Sequence, residues 1–190
     1  MIEGASHLQA DVPRAVERLA AAWHRLECGL AVAALSLVGL LLIIDVGGRE
    51  LLAPLLRSMG VTVGATGIPG GQKIAVYALV IGSFCGVGIA TARNAHLVPR
   101  VGFGWTPARY APRVDRFADL LTGVFLLVVA WYGLTFVWSS MASGMRAPVL
   151  DWPVWPFQLA VPIGFASAAG RYLLFARWPG LKAPPPEYQD

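Results

Sequence analysis

Apolar residues fall into four long runs, and the stretches between them are polar or rich in glycine and proline. Cys28–Ile44 reads CGLAVAALSLVGLLLII, and Ile74–Ala92, IAVYALVIGSFCGVGIATA, carries no charged residue. A third run, with LLTGVFLLVVAWYGLTFVW at its centre, extends from Phe117 to Trp138, and a fourth from Val154 to Phe175. At 1.5 Å per residue a helix over 74–92 is about 28 Å long, which matches the ~30 Å hydrocarbon core of a bilayer. The pattern predicts an all-α integral membrane fold with four transmembrane helices. A single four-helix membrane domain is expected over residues 1–190, with spans at about 27–46, 74–92, 117–138 and 154–175 and flexible tails at 1–13 and 180–190.

The segments around the runs refine this. Val12–Leu26, VPRAVERLAAAWHRL, interleaves Arg14, Glu17, Arg18 and Arg25 with apolar positions. It reads either as a short interfacial helix before span one or as a helical extension of that span. The glycines, Pro54 and Pro69 of Glu50–Lys73 argue against one continuous helix, and Leu51–Met59 suits a short re-entrant or interfacial helix. In span four, Pro162 removes one backbone hydrogen bond, so a bend is expected at Pro162-Ile163-Gly164.

Two pairs, together with Pro162 and Gly164, are candidates for packing or partner contact. Gly82 and Gly86 form a small-xxx-small pair that admits a neighbouring helix closely in lipid; the alternative is a lipid-facing span. Asp45 and Arg49 stand four residues apart on one helix face. They pair with each other or a neighbour, or Arg49 snorkels alone to the headgroups.

Composition fits the pattern. Hydrophobic residues make up 56% of the chain against 14% charged, and there are seven tryptophans, a balance that excludes an ordinary soluble domain. The net charge of +4 then reflects topology, not a nucleic-acid partner. With the N-terminus cytoplasmic, eleven of the fifteen Lys and Arg residues lie inside and four (Arg49, Arg57, Lys73 and Arg146) outside. Both termini are therefore expected in the cytoplasm. Arg171 and Arg177 mark the inner end of span four, and Arg93, His96 and Arg100 lie in a cytoplasmic loop that meets lipid headgroups.

Candidate chemistry is sparse. His7, His24 and His96 form no pair suited to haem. The two cysteines form no framework or metal cluster, and no catalytic or phosphate-binding motif is present. No Asp, Glu or Lys stands at mid-span as in an ion path. The chain is expected to be neither an enzyme nor a cofactor or metal protein.

Three passages together resemble the small membrane (DctQ-like) subunit of tripartite ATP-independent periplasmic (TRAP) transporters. IIDVGGREL matches that family's apolar run closing on V-x-x-R, at Arg49. GVGIATARNAHLVPR matches its second segment at Gly86, Arg93 and His96. APVLDWPVWPFQLAVPIGFA matches its last signature at Pro148, Pro153, Trp155, Pro162, Gly164 and Phe165. Gln72 and Lys73 stand where the family often has an acid, so no role passes to Lys73. The resemblance implies a non-catalytic inner-membrane subunit that scaffolds a large elevator-type membrane subunit. That partner would carry sodium and a small organic acid delivered by a periplasmic substrate-binding protein. The other readings are the small subunit of a tripartite tricarboxylate transporter, a homo-oligomeric channel or exporter, and a cofactor-binding membrane enzyme subunit.

Overall fold

The computed structural model describes residues 12–62, 64, 67–94 and 110–184. Among these the chain is helical, with no strand. Helix α1 spans Arg14–Gly47, and a π turn, Gly48–Leu52, joins it to α2, Ala53–Ser58. Helix α3 spans Gly71–Ala92, α4 Ala111–Ala142, α5 Trp155–Gln158 and α6 Ala160–Arg177; a 3-10 turn, Pro179–Leu181, follows. Four helical stretches are long and apolar enough to cross a membrane: Arg14–Ser58, Gly71–Ala92, Ala111–Ala142 and Trp155–Arg177.

The helices lie in an open row. α1 packs on α3, α3 on α6 and α6 on α4, while α1 and α4, the two edges, make no comparable contact. Small residues recur along the seams. On α1 the buried positions Glu27, Ala31, Ala34 and Asp45 share one face, and on α3 Gly71, Ala75, Ala78 and Gly82 answer them. On α4, Asp119, Gly123, Ala130, Val137 and Ser140 recur at steps of 4, 7, 7 and 3 residues, a spacing that keeps one face on a neighbouring helix. Small residues suit such seams because in lipid close backbone approach, not burial from water, favours helix association. The outer faces are apolar, with Val32, Leu40 and Ile43 on α1 and Phe125, Trp131, Phe136 and Trp138 on α4 exposed.

Several elements differ in extent from the expected spans. The stretch before span one is continuous with it, so of the two readings of 12–26 the helical extension holds. Helix also continues past Asp45, because the π turn accommodates Pro54: the Ala53 N–H bonds the Gly48 carbonyl five residues back. Widening the turn relieves the clash between a proline ring and the preceding helix. The 45 residues from Arg14 to Ser58 make about 67 Å of helix, twice the hydrocarbon thickness. The interruption in the last span falls at Leu159, between α5 and α6, one turn before Pro162. That is where the amide missing from Pro162 leaves the Gln158 carbonyl without its helical donor.

The end of the chain also differs. Residues 180–184, expected in a flexible tail, pack back on the helices. Lys182 Nζ reaches Asp119 Oδ1 at 2.7 Å, and Asn94 Nδ2 donates to the Ala183 carbonyl at 3.1 Å. A buried carboxylate on α4 needs a cation, and the tail supplies it. Residues 1–11 and 185–190 lie outside the described residues.

Candidate functional site

Among the described residues two polar sites stand out, one near each end of the long helices. The first lies where α1, α3 and α6 meet. Glu27 sits thirteen residues into α1, and Arg171 lies two turns inside the end of α6. Their side chains retain only 6% and 8% exposure. Arg171 Nη2 donates to Glu27 Oε2 at 2.6 Å and Nη1 to Glu27 Oε1 at 3.1 Å, a two-pronged pairing. Nη1 also donates to the Gly88 carbonyl of α3 at 2.9 Å. Ser167, one turn before Arg171, donates its hydroxyl to Glu27 Oε1 and accepts from Trp23 Nε1 at 2.8 Å.

The pair fits because position 88 is glycine. A Cβ there would fall 2.7 Å from the Glu27 carboxyl carbon and 2.9 Å from Arg171 Nη1. Both oxygens of Glu27 are engaged, so the pair is neutral and hydrogen-bonded, the condition under which charges are tolerated inside a membrane. It offers no open face to a substrate. Chemically it is a clamp across three helices.

By its place in the sequence Arg171 marks the inner end of span four. It points into the protein, held by Glu27 and the Gly88 carbonyl. Glu27 itself opens the first apolar run, at its boundary, and only the antiparallel course of α1 and α6 brings it to Arg171. An acid opening the first span and an arginine inside the last were the available signal.

The second site lies at the opposite end of the same two helices, α1 and α3. Asp45, 8% exposed, accepts an ion pair from Arg49 and a 3.3 Å hydrogen bond from Gln72 Nε2 of α3. Of the two readings of this pair, mutual pairing therefore holds. Gly67 lies against the other carboxylate oxygen, where a Cβ would not fit. Beside them opens a cleft of about 650 Å³ lined by Asp45, Arg49, Arg57, Gly67, Lys73 and Val149. Across it, Leu150 of the α4–α5 loop presses on Gly70, whose φ of +77° suits glycine. That loop is braced by Arg146, which donates to Asp151 Oδ2 at 2.7 Å.

The remaining candidate residues separate. A Cβ added at buried Gly82 would stand 3.4 Å from Ala34 and Leu35 of α1, whereas one on Gly86 would meet nothing within 4 Å. The two therefore do not act as one packing motif. Pro162 is buried against Gly133 of α4, and Gly164 is closed by Phe84, whose carbonyl oxygen would lie 2.8 Å from an added Cβ. Arg93 is exposed just beyond α3. His96 and Arg100 fall outside the described residues. Among the described residues no group of three or more His, Cys, Asp or Glu side chains is placed to hold a metal ion.

Comparison with known proteins adds one finding. The family described as the DctQ component of tripartite ATP-independent periplasmic transporters matches residues 38–177. No curated protein and no solved structure gives a significant match.

Proposed function

The chain belongs to the DctQ component family of tripartite ATP-independent periplasmic transporters, and on that premise we propose that it scaffolds the large membrane subunit of such a transporter. The family makes it a small, multi-pass membrane subunit of a transporter. In the proposed reading the large subunit carries sodium and substrate, a small organic acid handed over by a periplasmic binding protein. This chain widens the fixed part that the moving part works against. Its termini and the Glu27–Arg171 clamp lie on the cytoplasmic side, as the distribution of arginine implies.

The observation that carries this reading is the open row: four spans held by small-residue seams, with two edge helices whose outer faces stay apolar. Of the proposed packing and partner residues, Gly82, Pro162 and Gly164 are taken up within the chain. Gly86 keeps room for a helix of the partner. The test is reconstitution in liposomes. The chain alone should pass neither ions nor organic acids. Together with the large subunit and binding protein it should support sodium-driven uptake, and omitting the chain should abolish it. Uptake by the large subunit without this chain, or conduction by this chain alone, would refute the proposal.

A further inference from the structure

The cleft beside Asp45 carries a surplus of two positive charges, because Arg49, Arg57 and Lys73 line it with one acid, Asp45. That acid is engaged by Arg49 and Gln72. Arg57 and Lys73 have no hydrogen-bond or ion-pair partner among the described residues, and both are exposed. The α1–α2 junction places Arg49, Ala53 and Arg57 four residues apart, on the face lining the cleft. Leu51, Leu55 and Met59, also four apart, are exposed on another face at 74%, 60% and 71%. A helix end with cations on one face and bare leucines on the other settles at a membrane surface, with its leucines in the acyl region. The cleft then lies at headgroup depth, at the end of the first span.

We propose that this cleft binds the phosphate of an anionic phospholipid. Arg57 and Lys73 would donate to the phosphate oxygens, with Arg49 held ready by Asp45. The acyl chains would run down the leucine face. A soluble anion would use the cations but leave the adjoining apolar face unexplained. The inference needs only that the chain spans a membrane, so it does not depend on the scaffold role.

Native mass spectrometry of the full chain in mild detergent, offered equal amounts of phosphatidylglycerol and phosphatidylcholine with matched acyl chains, tests it. Phosphatidylglycerol should be retained preferentially. The preference should fall about tenfold in the double variant Arg57→Gln/Lys73→Gln and persist in Arg57→Lys. The variant Arg113→Gln/Arg116→Gln, at the other end of the row, serves as control and should keep the preference. Circular dichroism and elution volume report that each variant is folded. Equal retention of the two lipids, an undiminished preference in the double variant, or the same loss in the control would overturn the proposal. Displacement of the lipid by millimolar inorganic phosphate would assign the cleft to a soluble anion. Loss of lipid when the large subunit is bound would assign it to an acidic segment of that partner. Either result also overturns it.

Discussion

Glu27 and Arg171 form the polar contact on which the middle of the row most depends. Removing one member leaves the other as an uncompensated buried charge, at a cost of about 3–5 kcal/mol. Arg171→Leu should therefore lower stability by that order, read by unfolding the purified chain in mixed micelles. Glu27→Leu/Arg171→Leu should recover most of the loss, since it removes both charges together. If the double variant is as unstable as the single one, the pair is more than a neutral clamp. Asp45–Arg49 was legible in the sequence because its spacing of four residues is local. Glu27–Arg171 was not, because 144 residues separate its members. Arg171 alone resembles any arginine closing a membrane span. What identifies it is the carboxylate that the topology delivers.

At the scale of the elements, apolar run length gave the four helices, and small residues set how they pack. The glycine pattern pointed to close packing, but spacing alone did not separate Gly82, which meets α1, from Gly86, which meets nothing. A side-chain partner on another helix decides that, and single-helix periodicity does not contain it. The difference is testable. Gly164→Ala places a Cβ 2.8 Å from the Phe84 carbonyl and should destabilise the isolated chain by about 1–3 kcal/mol by forcing α3 and α6 apart. Gly86→Ala should leave the isolated chain within about 0.5 kcal/mol of the parent, yet reduce recovery of the complex, if a partner helix approaches there. Unfolding in micelles and co-purification yield read the two effects separately. Proline was read correctly as a disturbance and placed less well. Pro162 interrupts its helix a turn earlier, at the carbonyl to which it cannot donate, and Pro54 is absorbed by a π turn that keeps the helix running to Ser58.

At the scale of the whole molecule, the open row is the feature with functional consequence. A closed four-helix bundle would turn its seams inward and present lipid with a complete surface. Here α1 and α4 each keep a bare flank, and the inner helices α3 and α6 do the joining. That arrangement suits a part of a larger membrane assembly, and the family is one of transporter components. The fold class and the family were both readable from hydropathy and three short motifs. The row was not, since four spans of this length are equally compatible with a closed bundle. The order of neighbours depends on which seams carry the small residues and on the charged pairs between helices. The most direct test is affinity purification of the tagged chain from its native membranes in mild detergent, with mass spectrometry of whatever accompanies it. The account predicts one large multi-span membrane protein recovered near one-to-one. A stable homo-oligomer of this chain alone would contradict it.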